Sequence, residues 1–401
     1  MSKSSKGLKR GPEDYRMMPC MRWYGPQDGV SLTAIRQAGA AGIVTALHQI
    51  PPGQVWETAA IRERQRVVRE AGMEWVVVES LPVSEAIKQQ KGDYLDHIAN
   101  YQQSIRNLAA CGIRVITYNF MPVLDWVRTE LEHPNPDGTR TLRFDRAAFA
   151  WFDIHSLGRP GADADYDAGV RKRAAALDDS LGEERRNRIR RSVLQGLPGS
   201  DEHFTEAALM ALLADYDRIP ESRLRKHLIE FLEAVVPVAE ASGAVLAVHP
   251  DDPPYPLLGL PRVVSGHDHL QKLFDAVPSV ANGLCFCTGS LGAGKTNDLP
   301  SMVDAFGERI HFLHLRNVAH EADGAFRESD HLDGHVPMEE VVSRLLRLMA
   351  RRGLSLPMRP DHGFLHELEH GSKSYPGYSL IGRLKGLAEL RGLEKGLLYA
   401  G

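Results

Sequence analysis

Residues 221–250 read ESRLRKHLIEFLEAVVPVAEASGAVLAVHP, and this stretch holds the unit from which the chain is built. Its first part alternates apolar and charged residues at helical spacing. Gly243 follows, a residue suited to the left-handed position that closes a helix. The run AVLAVHP is then apolar on both faces, as a strand covered on both sides must be. The same junction recurs: Gly42 precedes IVTALH, Gly72 precedes MEWVVVES, Gly112 precedes IRVITYNF, Gly283 precedes LCFCTG, Gly307 precedes ERIHFLHLR and Gly353 precedes LSLPMRPDHG. With the early run MRWYG, eight strands alternate with helical segments. Such alternation implies a parallel sheet, and eight units favour a closed (β/α)8 TIM barrel over an open doubly wound sheet.

One unit is much longer than the others. About 95 residues separate YNFMPVLDW from the helix that begins at Glu221, and they include RKRAAALDDSLGEERRNRIRRSVLQGLPG. Alternating charge of this kind marks a solvated helical face. The expectation is a helical insertion over about 125–220 in the loop after strand 4, on the rim where barrel enzymes place their sites. It would serve as a lid, or as a decorative or dimer-forming insert. The remainder, 21–401, reads as one barrel domain. Residues 1–20 read as a disordered lead-in, polar and basic at the start and without the apolar core of a secretion signal.

Bulk properties narrow the function classes. A net charge of −4 provides no global basic field, so nucleic acid is not an expected partner. No run of about 18 apolar residues occurs, so no membrane span is expected. The four cysteines, Cys20, Cys111, Cys285 and Cys287, form no disulfide framework, which fits a reducing cytoplasm.

Barrel enzymes carry their chemistry at the C-terminal ends of the strands. Here the fifth run ends in His249, the sixth in Cys287, the seventh carries His314 and the eighth ends in Asp361. Strand parity puts Cys285 and Cys287 on one face, with Cys287 nearer the end; His314 shares a face with Arg316, and Arg359 with Asp361. Singly, each has an ordinary reading. A strand histidine is more often a bonded core residue than a ligand, a buried cysteine usually acts as a small hydrophobe, and an Asp after a strand often caps a helix. Together, on four consecutive strands of a barrel, they would converge, and burying them without an ion would leave polar groups short of partners. Two imidazoles, a thiolate and a carboxylate suit a divalent cation. A site that also chelates substrate needs open positions, which favours Mn²⁺ or Fe²⁺, with Mg²⁺, Zn²⁺ and Co²⁺ as alternatives.

The segment GSLGAGKT, Gly289 to Thr296, fits the P-loop pattern of nucleotide hydrolases. A P-loop runs directly into a helix whose amides point at phosphate. In this chain TNDLPSMVDAF follows, and Pro300 places the helix start near Asp298 to Pro300, which is too late. No partner strand ends in the Asp that a P-loop enzyme uses for Mg²⁺.

The segments RWYGPQDGVSL, GIVTALHQIPPG, YNFMPVLDW, AVHPDDPPYPLLGLPR, FCTGSLGA, HFLHLRN, MRPDHG and PGYSLIGRLKGLAELRG resemble the mannonate dehydratase family, in order, from about Arg22 to Gly392. HSLGRPGADADY, in the excursion, resembles an insert carried by one branch of it. The resemblance implies a barrel like that of xylose isomerase. It further implies dehydration of D-mannonate to 2-dehydro-3-deoxy-D-gluconate in hexuronate breakdown, with a homodimer as the suggested assembly. It places metal ligands on His249, Cys287, His314 and Asp361, and proton transfer on His362 and Tyr378, with Tyr375 a nearby competitor for the latter. Arg316 and Arg359 are candidates for the substrate carboxylate. Trp23, Tyr24, His48 and Asn119, at earlier strand ends, are candidates to line the sugar pocket, with barrel packing the alternative for each. The nearest competing activity is a metal-dependent sugar isomerase or epimerase on the same barrel.

Overall fold

The structure is a computed structural model and describes residues 15–195 and 205–400. In chain order its strands are β1 (Met18–Arg22), β2 (Gly42–Thr45), β3 (Glu74–Glu79), β4 (Val115–Tyr118), β5 (Glu130–Pro134) and β6 (Arg140–Phe144). They continue with β7 (Val245–Val248), β8 (Asn282–Cys287), β9 (Ile310–His314), β10 (Asn317–His320), β11 (Phe326–Ser329) and β12 (Pro357–Arg359). Eight of them close into a barrel in the order β1-β12-β9-β8-β7-β4-β3-β2, and every neighbouring pair is parallel. Strand β1 begins at Met18, with Met17 already buried, so the barrel reaches into the segment read as a lead-in; residues 1–14 lie outside the described residues.

Side-chain alternation sorts the residues into two cores. Cys20, Val44, Val77, Ala247, Cys285 and Phe312 point inward and fill the barrel. The opposite faces pack against the surrounding helices in one continuous apolar cluster. Helix Glu221–Ala241 shows the mechanism: Leu224, Leu228, Phe231, Leu232, Val235, Val236 and Ala239 recur at helical spacing and are buried. Each large apolar side chain sequestered in this way contributes about 1.5–3 kcal/mol.

The junction glycines divide by role. Gly72, Gly112, Gly243 and Gly353 have positive φ and close helices as expected. Gly42 and Gly283 instead lie inside strands. A Cβ at Gly42 would meet Val76 and Cys20, and one at Gly283 would stand 2.1 Å from the His311 ring, so these positions are glycine for close packing.

The long excursion after β4 carries helices at Arg146–Trp151, Ala168–Ser180, Glu183–Leu194 and Glu206–Ala214. Ala168–Ser180 buries only Val170 and Ala174, which agrees with a solvated face. The excursion also contains a hairpin, β5–β6, that the helical expectation did not include. β5 and β6 join β10 and β11 in an antiparallel sheet of order β10-β11-β6-β5 outside the barrel. Its turn signal, NPDG at 135–138, sits between two runs rich in charge, and that charge masked the strand pattern. No helix among the described residues is long and apolar enough to cross a membrane.

His311, on the outer face of β9, donates from Nε2 to the Val280 carbonyl at 2.8 Å, and burial pushes its pKa down to about 4. In the unfolded chain a histidine takes up its proton near pH 6.5. Stability from this group is therefore complete above about pH 6.5 and is lost as pH falls toward 4. Between pH 7.5 and 5 the native chain should lose about 2 kcal/mol more than His311→Gln in urea unfolding. Identical pH dependence in the two proteins would refute this.

Candidate active site

The strand register brings the chemistry to one level. Cys287 at the end of β8 pairs with His314 at the end of β9, and His314 pairs with Arg359 at the end of β12. His249 follows β7 directly, its amide held by the Tyr118 carbonyl at 2.7 Å. As a result the ligating atoms of His249, Cys287 and His314 all lie within 4.8 Å of one another. His249 Nδ1 donates to the Pro250 carbonyl at 2.7 Å, so the Nε2 lone pair is the one left available. Burial lowers the pKa of this ring and keeps it neutral.

Asp361 joins the group from the residue-pair step beyond β12, with φ of 66°, a left-handed conformation that Asp tolerates better than most residues. This backbone aims its carboxylate back over the barrel mouth. Oδ2 lies 3.7 Å from Cys287 Sγ, and Oδ1 lies 4.0 Å from His314 Nδ1 and 2.5 Å from Arg359 Nη1. Burial alone would raise its pKa, but Arg359 and the other cations around it hold the carboxyl well below the usual range. Asp361 therefore stands beside the three-residue cluster and leans toward Arg359. The donor set fits a divalent transition ion: borderline and soft nitrogen and sulfur groups, an ionised carboxylate, and near-complete burial.

Around these groups lies a shell of buried ion pairs. Arg128 binds Asp252 through both terminal nitrogens, at 2.7 and 3.1 Å. Arg316 reaches Asp252 at 2.6 Å, Glu328 at 3.2 Å and Asp361 at 3.4 Å. Arg359 binds Glu79 at 2.7 Å and donates to His314 Nε2 at 3.0 Å, and Arg22 reaches Glu79 at 3.0 Å. Arg316 and Arg359, read from sequence as carboxylate binders, are thus held by protein carboxylates. Arg22 was not read from sequence at all. Its Nε is buried without a hydrogen-bond partner among the described residues, and its side chain lines the cavity. The parity that puts Cys20 inside the barrel also puts Arg22 there and turns Trp23 outward.

A cavity opens over this cluster. His249, Arg316, Arg359, Asp361, His362 and Tyr378 line it, and so does Asn119, whose side chain donates to Asp125 at 3.0 Å. His362 Nε2 stands 3.2 Å from Tyr378 Oη, and a bridge between Gly363 and Tyr378 fixes the two segments. Burial outweighs the opposing pull of Arg359, raises the Tyr378 pKa and keeps the phenol protonated. Tyr375 does not line this cavity; it packs on Tyr24 with ring centres 4.5 Å apart. Tyr24 meets Tyr378 edge-on at 5.0 Å and His48 at 5.6 Å, and both stand behind the cavity wall. Trp23 lies in the outer apolar core beneath Arg64 and away from the cavity. Other lining groups missed in the sequence are Glu79, Asp125, Trp126 and Asp252. Glu79 ends β3 and was open to the same strand-end reading; Asp252 and Trp126 sit in irregular loops with no periodicity to reveal them.

The P-loop-like segment makes no anion cradle. Thr288–Gly292 forms a short helix capped by the Cys287 sulfur, and the next helix, Leu299–Phe306, starts late and is capped by Asp298. Gly289 packs under Arg316, where a Cβ would fall 1.8 Å from Nε, and Ser290 donates to Asp252 at 3.1 Å. Lys295 is exposed.

Comparison with known proteins agrees with this geometry. The family model described as D-mannonate dehydratase (UxuA) matches residues 17–399. A mannonate dehydratase of Chromohalobacter salexigens is 55% identical over 379 residues, covering 93% of this chain and 97% of the relative. The crystal structure of mannonate dehydratase from Streptococcus suis superposes with a TM-score of 0.76 at 34% identity, over 96% of this chain and 95% of that one. A xylose isomerase-like TIM barrel protein from Mycobacterium smegmatis, solved with magnesium, shares the fold alone: TM-score 0.51 and 14% identity over 97% of this chain and 100% of that one. The family match over residues 17–399 and the 55% identical relative show that this chain belongs to the D-mannonate dehydratase family.

Proposed function

We propose that this chain is a divalent-metal-dependent D-mannonate dehydratase, a hydro-lyase that forms 2-dehydro-3-deoxy-D-gluconate and water. The observation that carries this reading is the meeting of His249, Cys287 and His314 within 4.8 Å, with Asp361 beside them and the His362–Tyr378 pair lining the same cavity. A proton next to a carboxylate is very weakly acidic, because its loss adds charge to a group already negative. A divalent ion held by His249, Cys287, His314 and Asp361 would stabilise that charge on the carboxylate and 2-hydroxyl oxygens. The soft donors favour Mn²⁺ or Fe²⁺ over Mg²⁺, and the need for open positions disfavours a closed tetrahedral Zn²⁺ site.

The chain's own groups handle the protons. One member of the His362–Tyr378 pair removes the hydrogen at C2, and its electron pair forms the C2–C3 double bond. The other protonates the C3 oxygen, whose bond to carbon breaks as water departs. The enol then becomes the 2-keto acid. The 3.2 Å separation of Nε2 and Oη lets a hydrogen pass directly between the two, which resets them for the next turnover. Arg22, through its unpartnered Nε, orients the anionic end of the substrate, and Asn119 meets its hydroxyls.

Purified protein supplied with D-mannonate should yield a 2-keto-3-deoxy acid, lose activity on chelation and regain it with Mn²⁺ or Fe²⁺. Turnover that survives exhaustive chelation would overturn the metal requirement. Cys287→Ser should lower both bound metal and kcat by at least about tenfold; unchanged metal content and activity would remove Cys287 from the ligand set. His362→Ala and Tyr378→Phe should each lower kcat by about 10²–10⁴ with metal retained. The variant that still exchanges the C2 hydrogen in D₂O identifies the other residue as the base, and full dehydration by both would exclude the pair.

A further inference from the structure

His362 is placed beyond the last barrel strand, so the barrel wall does not orient its ring. Two hydrogen-bond partners compete for its Nδ1. Glu328 Oε1 lies 2.7 Å away and Arg316 Nη1 lies 3.0 Å away. The two demand opposite arrangements. An ionised carboxylate only accepts, so pairing with Glu328 puts the hydrogen on Nδ1 and leaves the Nε2 lone pair facing Tyr378 and the cavity. A guanidinium only donates, so pairing with Arg316 would put the hydrogen on Nε2 and block that lone pair. Glu328 also lies 3.2 Å from the same Arg316 nitrogen, which gives the arginine an acceptor other than the ring.

We infer that Glu328 is a positioning residue for His362, and that the β5–β6 hairpin of the excursion holds it there. The inference rests on the dehydratase reading above only for its activity readout. Glu328 lies on β11, in the sheet outside the barrel, opposite Val318 on β10. The hairpin seals the other side of β11: Phe326 and Arg327 pair with Phe144 and Arg143, and the Phe144 and Phe326 rings stack with centres 5.7 Å apart. Thr141 Oγ1 donates to the Glu328 carbonyl at 3.2 Å. Arg128, two residues before β5, donates to Glu328 Oε1 at 3.1 Å while its other contacts fix it on Asp252. Glu328 is 3% exposed, and a carboxylate so enclosed persists only when donors surround it. The excursion and the loop after β9 supply those donors together, and neither belongs to the barrel. This assigns the hairpin a catalytic support role, in place of decoration.

The test uses the full-length, metal-loaded enzyme. Glu328→Gln should lower kcat for D-mannonate about 10- to 100-fold, leave KM within about twofold and leave bound divalent metal per chain unchanged. Glu328→Asp, which keeps the carboxylate, should recover part of the lost kcat. Long-range ¹⁵N–¹H correlation on the enzyme loaded with a diamagnetic ion reads the ring directly, with the His362 resonance assigned by its absence in His362→Gln. Wild type should carry the hydrogen on Nδ1. A hydrogen on Nε2 in wild type, or a Glu328→Gln kcat within about twofold of wild type, overturns the proposal. If Glu328→Gln does not fold, the wild-type ring measurement and Glu328→Asp still decide it. Absence of any dehydration by wild type would instead count against the dehydratase reading, and the ring measurement would still judge Glu328.

Discussion

Arg316 is the hinge of the site. Its guanidinium touches Asp252, Glu328 and Asp361, which come from three different segments, and it also stands against His362. A buried charge without a partner costs several kcal/mol, and a buried pair is tolerated only with good geometry and further hydrogen bonds. The network meets that condition by sharing. Arg128 bridges Asp252 and Glu328, Arg359 bridges Glu79 and Asp361, and Arg22 completes Glu79. Each charge is therefore located by at least one other, and movement of any one would leave its neighbours uncompensated.

This sharing has a consequence for how the centre is built. The barrel places His249, Cys287 and His314 by strand register, a property of backbone hydrogen bonding that tolerates many side-chain changes. It cannot place Asp361 or His362, which lie past the end of β12. Those two are located by side chains instead, Asp361 by Arg359 and Arg316, His362 by Glu328 and Tyr378. The arginines that sequence reading assigned to the substrate anion are held by protein carboxylates, and Arg316 Nε, like Arg22 Nε, is buried without a hydrogen-bond partner among the described residues while its side chain lines the cavity.

The sequence was legible wherever periodicity or chain position carried the information. Alternation of amphipathic segments with apolar runs revealed eight parallel strands, and the last polar residue of four runs named His249, Cys287, His314 and Asp361. Strand parity also carries Arg22 in place of Trp23, since Arg22 shares the inner face with Cys20, and carries Glu79 at the end of β3. The β5–β6 hairpin escaped because its residues are charged on both faces. Glu328 escaped because β11 is only four residues long and belongs to a sheet whose strands lie far apart in the chain.

By itself, then, the order of residues determined the barrel, the polar residues at its strand ends and the family, because each rests on local pattern or on long matched segments. The pairing of Glu328 with His362, the capture of Arg316 and Arg359 by carboxylates, and the presence of Tyr378 rather than Tyr375 at the cavity wall were decided only in the tertiary structure. These are contacts between residues distant in sequence, where sub-ångström differences in position select one partner over another, and no repeat along a chain records such distances.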